Sequence, residues 1–542
     1  MRKLSLLLAL AIAFLPGSSV KSEPLNWQLY EFDKLTGGLN DSFDAISIDP
    51  SEASDLQNII FPRAINGAIA SRPGYTRINA TALSGTPDCT GVFFFKLVSG
   101  TRYLVSLWTD DKIRKMDYTG SGPDGTWDDI TAALSFNVGT DDQADFAVAE
   151  DSVVIEDGLT STAPYRWTGT GDATALTADV DVPNASMVEY HARHLFLAGN
   201  NSNPSRLYVS NLDDITAYTS TDFIRVETDS GDGIIRGLRT GLDGLYIWKD
   251  SAIWRLSGTN RDDFILERMV QGVGTLSNQS ISIVNDPRTN QQIFVFVTQN
   301  GDVAAYDGGV NVTILSYKIK NSFPNSLAFN RMDEVVAATY DFMYIVSVST
   351  SGEAAHNRLY AFDFIHNAWT RFEAMNANAI GVFEDGNGEP LFMFGDVSGF
   401  VNQWDINDTS TVNDPSTTAI DAYYVTGWFS FKDAGLEKNL RVLRIFVNQV
   451  GTGNLLDVEV RKDFETSSTV SQLSLAGSGA LWDSAIFDTD VYGDLTITIG
   501  RVEPSRGLSA NLFQIRMDNG ERASERFRIR KLQFLVEPSK RV

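Results

Sequence analysis

From about residue 90 to residue 410 the apolar and polar positions recur in a loose unit. An apolar run leads into a polar turn, and a second run follows that ends on an aromatic residue, often with Asp next. "YLVSLWTDDKIRKMD" ends at Asp117, "VVIEDGLTSTAPYRW" at Trp167 and "LFLAGNNSNPSRLYVS" at Ser210. "LYIWKDSAIWRL" ends at Leu256, "IFVFVTQNGDVAAYD" at Asp307, "YIVSVSTSGEAAHNRLYAFD" at Asp363 and "LFMFGDVSGFVNQWD" at Asp405. The ends lie 42 to 56 residues apart. Four short strands with their turns need roughly 40–50 residues, which is one blade of a β-propeller. A lone hairpin cannot bury both faces, whereas units stacked around an axis can. The pattern predicts an all-β fold whose first body, residues 91–410, is a β-propeller of about six to eight blades.

After residue 420 the period becomes a strict two. "LTITIG" sets Leu495, Ile497 and Ile499 on one face and Thr496 and Thr498 on the other. "DVEVRKD" does the same with Val458 and Val460. These are half-buried antiparallel strands. In "RFRIRKLQFLV" Phe527 and Ile529 share one parity, while Leu532, Phe534 and Val536 take the other. A β-bulge near Arg530–Lys531 restores a single core face. Residues 421–542 are therefore expected to form a C-terminal β-sandwich or jelly roll. The polar stretch "INDTSTVNDPSTTAID" supplies a linker, placed at 411–420.

The N-terminal region reads differently. "MRKLSLLLALAIAFLPGSSVKS" (1–22) has Arg2 and Lys3, an apolar run and a Pro-Gly break. That is the layout of a secretory signal peptide, and the run is too short to span a bilayer. Residues 23–90 lack a sustained period. They hold Gly-Gly, Asp-Pro-Ser and Arg-Pro-Gly-Tyr turns and are expected to form an extended arm, with Thr36–Tyr75 lying on a neighbouring copy or across blades.

Composition narrows the chemistry. The chain has 542 residues, one cysteine (Cys89) and four histidines. No intrachain disulfide or Cys-based metal site is possible, and Cys89 reads as a buried or half-buried small residue. The net charge is −25. Residues 421–542 hold 16 basic and 16 acidic side chains, so residues 1–420 carry all of it. Nucleic-acid binders neutralise phosphates with basic surfaces, so the acidic part cannot grip DNA. It can let DNA pass without holding it, or simply keep the protein soluble. A local basic cluster, Arg522, Arg526, Arg528, Arg530 and Lys531, is a candidate protein contact.

No catalytic, cofactor or metal residues emerge. His191 and His194 form H-x-x-H, but on one strand they face opposite sides and read as a surface and a half-buried histidine. "EDGNGE" (384–389) reads as a hairpin turn between Val382 and Leu391, not as a calcium loop. "SGPDGTW" (121–127) approaches an Asp-box but has the wrong spacing, and also reads as a turn. There is no G-x-S-x-G, P-loop or dinucleotide fingerprint. Carboxylates are too abundant for any pair to stand out as a glycosidase pair.

The opening of the arm carries a resemblance. "GGLNDSFDAISIDPSEASDLQN…GAIASRPGY" resembles the N-terminus of tail nozzle proteins of short-tailed phages, of the tail tubular protein B and packaged-DNA-stabilisation types. The matching residues are Gly37, Gly38, Leu39 and Asn40; Pro50, Glu52 and Ala53; Leu56 and Asn58; and Arg72, Pro73 and Gly74. "RHLFLAGNNSNPSRLYVSNLDDITAY", "GLYIWKDSAIWRLSG", "GVGTLSNQSI…DVAAYDG" and "NRLYAFDFIHNAWTRF" resemble propeller segments of that group. The resemblance implies a structural virion protein: a homo-oligomeric ring, commonly a hexamer, around a DNA channel. Its partners would be itself, an adaptor and fibres, and DNA passing without sequence-specific contacts. It implies no catalytic residues and no cofactor. Residues 1–22 depart from it, because phage tails assemble in the cytoplasm. A secreted or periplasmic β-propeller that binds or hydrolyses glycans is the alternative reading.

Overall fold

The computed structural model describes residues 27–119, 122–132, 134, 137–176, 181–219, 221–227, 231–385, 388–408, 410–448, 455–465, 469–474, 497–503, 508–522 and 526–538. Its regular elements are β-strands and a few short 3-10 turns. The protein is all-β.

Residues 76–404 build seven antiparallel meander sheets in succession. The seven hairpins quoted above are the two middle strands of these sheets, from Arg102–Trp108 with Lys112–Thr119 to Pro390–Gly395 with Val401–Trp404. Continuous apolar runs made them legible, because both faces of the middle strands are buried between neighbouring sheets. Phe95, Leu107 and Ile113 of the first sheet pack on Val153, Ile155 and Trp167 of the second. Equivalent clusters join each sheet to the next. The series closes on itself: Val92, Leu104 and Trp108 of the first sheet pack on Phe383, Met393 and Val401 of the seventh.

The seventh sheet takes its fourth strand from far upstream. Asn402 and Gln403 pair with Arg77 and Thr76. A strand from within the expected arm, residues 23–90, thus closes the ring, which begins at Thr76 and not at residue 91.

Two further sheets face each other. One joins Lys438–Asn448, Ile497–Val502, Leu508–Ala510 and Arg528–Pro538 with Gln28–Phe32, Ile59–Ile60 and Ile69–Ser71. The other joins Tyr423–Thr426, Leu455–Lys462, Thr469–Ser474 and Phe513–Asp518 with Gly38–Leu39 and Glu52–Gln57. The expected arm is therefore corrected. Five of its strands complete the sandwich of its own chain, with Leu29 paired to Leu535 and Leu56 to Tyr424. The physical reason is that Leu39, Leu56, Ile59 and Ile69 cannot form a core from their own segment but find apolar partners across the sandwich, where all four are buried.

The expected bulge is present at Arg530. Val447 pairs with Ile529 and Phe446 with Lys531, so Arg530 is the extra residue. Phe527, Ile529, Leu532, Phe534 and Val536 all become buried. Val458 and Val460 are buried as read. Ile499 is not: it is 54% exposed, opposite the half-buried Phe446. Its parity puts it on the outer face of the sheet. The side chains of Leu495 to Thr498 lie outside the described residues.

The linker is also corrected. Asp414 is buried and its backbone bridges to Thr418. One apolar cluster runs from Val295 and Tyr344 of the fifth and sixth sheets through Trp369, Leu39 and Leu56 to Ile445 and Phe534. The two bodies share a core.

Candidate functional site

The residues of the N-terminal resemblance converge on the joint between the ring of sheets and the sandwich. Asn58 adopts the left-handed region (φ 55°) and is buried. Asn tolerates this conformation better than most residues, and its side chain can bond locally. Its N–H donates to the Arg371 carbonyl at 2.8 Å, and its Nδ2 donates to the Asp421 carbonyl at 2.7 Å. Its Oδ1 accepts from the Glu373 N–H at 3.0 Å and from Arg72 Nε at 2.9 Å.

Arg72 is fully buried. Nη1 and Nη2 donate to Asp414 Oδ1 and Oδ2, each at 2.7 Å. Nη1 also donates to the Pro73 carbonyl and Nη2 to the Glu373 carbonyl, each at 3.1 Å. With Nε on Asn58, the five guanidinium donors have five acceptors. A buried charge is tolerable only when satisfied in this way. The Pro73 carbonyl also accepts from Trp404 Nε1 at 3.2 Å. A Cβ on Gly74 would lie 1.9 Å from the Asn413 carbonyl oxygen.

The other end of the arm rests on the sixth sheet. Gly38 has φ +77°, and a Cβ there would lie 2.7 Å from the Trp369 backbone. Gly37 is equally close to Ser51. Leu39 and Leu56 are buried; Pro50 is exposed in the turn where the Glu52 N–H returns to the Asp49 carbonyl. Asn40 Nδ2 donates to Glu52 Oε2 at 2.8 Å, and Lys318 Nζ lies 2.8 Å from Glu52 Oε1. The motif is thus a set of joint-forming contacts.

The basic cluster does not form one surface. Arg522 pairs with Asp457 at 2.7 Å, and Lys531 with Glu31 at 2.7 Å. Arg526 is buried; it donates to the carbonyls of Asp408 and Ser71, and burial brings its pKa down to about 10. Arg528 and Arg530 are half-buried. The five side chains therefore do not make a single contact surface. Arg526 lies just before the strand and is held under the arm by its bonds to the Ser71 and Asp408 carbonyls.

At the centre of the ring is a cavity of about 390 Å³, lined from all seven sheets or the turns that lead into them. Phe93 and Phe146 stack there, with centroids 5.2 Å apart. Arg239 Nη1 lies 3.6 Å from Asp145 Oδ1 and 4.0 Å from Glu189 Oε2. Asn278 Nδ2 and Gln279 Nε2 donate to the Asp145 carboxylate at 2.8 and 3.1 Å, and the Val188 N–H does so at 2.9 Å. Burial lifts the Glu189 carboxyl to about 7, with Asp145 adding to the rise and Arg239 opposing it. Sequence reading missed these residues. Asp145, Glu189, Arg239 and Gln279 sit at or near the inner strands of four different sheets, so no short motif contains two of these four.

The histidines are corrected too. His191 and His194 are paired across a two-residue hairpin, not spaced along one strand, because Ala192 and Arg193 adopt the left-handed turn. His194 is buried, with Nδ1 2.8 Å from the Ser210 carbonyl, and His191 is half-buried. "EDGNGE" joins two paired strands, with Glu384 opposite Pro390. Of "SGPDGTW", Ser121 lies outside the described residues, and Gly122–Pro123 pairs back on Tyr118–Thr119. Cys89 is buried and its thiol pushed up by desolvation. Among the described residues no group of three or more His, Cys, Asp or Glu side chains is placed to hold a metal ion. No helix among them is long and apolar enough to cross a membrane.

No protein-family model matches this chain, and no curated protein matches it.

Proposed function

We propose that the chain is a structural virion protein, one copy of a homo-oligomeric ring in the tail nozzle of a short-tailed phage. In this reading the seven sheets are the blades of a propeller. The observation that supports it most is the use of the arm motif. Arg72, Asn58, Gly38 and Gly74 are all spent in fixing the arm, the ring of sheets and the sandwich to one another. A building block of an assembly gains from such a joint, because it holds the two bodies in one fixed arrangement.

DNA does not run through the ring of one chain in this account. A duplex whose major groove alone is about 12 Å wide does not enter a cavity crossed by Arg239, Asn278 and Gln279. The passage lies between copies, along the axis of the assembly, with an adaptor and fibres as neighbours. Residues 76–410 hold 22 basic and 44 acidic side chains, a charge that repels phosphates from the wall. At ~0.15 M salt the Debye length is about 8 Å, so only charges close to the passage act on the duplex.

The test is imaging of the intact chain, alone and with the adjoining tail component. Rings with an axial opening are expected. Monomers in both samples would reject the proposal.

The glycan reading has one observation in its favour, the central cavity with Glu189, Asp145 and Arg239. Turnover of a sialoside or polysaccharide that is lost in Glu189→Gln would establish it. We propose that no such turnover occurs, since Asp145 already accepts three hydrogen bonds from the protein.

A further inference from the structure

The outer face of the first sandwich sheet has an apolar centre with a basic surround. Ile499 is 54% exposed and pairs with Phe446, which pairs with Lys531. In the next row Arg501 pairs with Arg444, and Arg444 with Gln533. Directly opposite residues on an antiparallel sheet share a face, and so do residues two apart along a strand. Arg528, half-buried between the buried Asn448 and Ala70, belongs to the row on the other side of Phe446, at the margin of the face where it meets the sixth sheet, and Arg530 sits in the bulge between.

The charges on this face are incompletely matched. Arg501 pairs with Glu503, and Lys531 with Glu31. Arg444 donates to Gln533 at 2.7 Å, and no carboxylate pairs with Arg444, Arg528 or Arg530 among the described residues. The body of seven sheets has the opposite character, with twice as many acidic as basic side chains. An apolar centre with a polar, charged rim is the anatomy of a protein interface. Opposite potentials on two different surfaces of one molecule favour a head-to-tail contact, and such contacts close into rings when the rotation allows.

We propose that this face, centred on Phe446 and Ile499, docks on the acidic seven-sheet body of a second copy of the chain and forms the repeating contact of the ring. The inference rests on the ring reading above and identifies the surface that would build it. Arg522 and Arg526 take no part, since one is paired within the chain and the other buried.

The experiment uses the full chain on its adjoining tail component. Three variants are compared with the unaltered protein: Ile499→Asp, Arg444→Glu with Arg528→Glu, and Arg444→Gln with Arg528→Gln. Ring populations are followed by imaging and mass photometry against protein and salt concentration, with thermal melting as the check on folding. The first two variants are expected to raise the concentration at which rings come apart at least about tenfold. The Gln pair is expected to fall between, and the unaltered rings to weaken as salt rises. Rings of unchanged stability in the variants would overturn this surface and leave the ring reading intact. Should the Glu pair fail to fold, unchanged rings in the Gln pair and in Ile499→Asp decide the matter in the same way. Absence of rings in the unaltered protein would overturn both. Duplex DNA bound by this face, lost in the variants while rings persist, would also overturn it.

Discussion

Arg72 and Asp414 are 342 residues apart in the chain and meet in a two-pronged ion pair, both prongs at 2.7 Å, in the joint between two β bodies. The geometry is the planar fork that guanidinium and carboxylate share. Both side chains are buried, so each is the other's main compensation for lost water.

Removing one partner should therefore cost far more than removing both. Arg72→Ala is expected to lose about 3–5 kcal/mol of stability, because Asp414 is left buried and alone. Arg72→Met with Asp414→Leu should lose less than the two single changes added together. Urea unfolding of the four proteins measures the cycle. A loss under about 1 kcal/mol in Arg72→Ala would mean that the joint does not depend on this pair.

Gly74 gives a steric test of the same joint. A Cβ at this position would overlap the Asn413 carbonyl, so Gly74→Ala must move the chain that carries Asp414. Gly122 has open space around its Cβ position and no positive φ. Gly74→Ala should lower the melting temperature by several degrees, and Gly122→Ala should leave it nearly unchanged. Equal effects would show that the close approach at Gly74 is relieved at no cost.

Glu189 predicts a pH dependence. Its carboxyl rises from 4.5 to about 7 in the fold, first because it is buried. A carboxyl with a higher pKa in the folded than in the unfolded chain favours folding while it holds its proton. That contribution is complete below about pH 4.5 and is lost as pH climbs through about 7. Glu189→Gln cannot ionise, so it should be more stable than the unaltered protein at pH 8, and the gap should narrow toward pH 4.5. Melting curves across this range check it. A constant difference at all pH values would contradict the assignment.

Local information made the seven hairpins legible, since each needs only two apolar runs and a turn within about 20 residues. The same holds for the bulge at Arg530, where a change of parity between Ile529 and Leu532 forced an extra residue. The arm was not legible for the opposite reason. Tyr30 finds its partner at Phe534, and Thr76 at Gln403, and nothing near either residue announces that distance. Ile499 was misplaced because alternation fixes which residues share a face but not which face is covered. The cavity residues Asp145, Glu189, Arg239 and Gln279 each come from a different repeat, and only closure of the ring brings them together. The basic cluster was a cluster in sequence alone: Arg526 turns under Ser71, whereas Arg444, from another strand, joins the face that holds Arg528.

The most direct test of the central claim is the mass and shape of the assembly. Purified full-length chain, mixed with the tail component it adjoins, should give closed rings by negative-stain imaging, six copies by native mass measurement, and an axial opening wide enough for duplex DNA. Monodisperse single copies, with or without that component, would contradict the account.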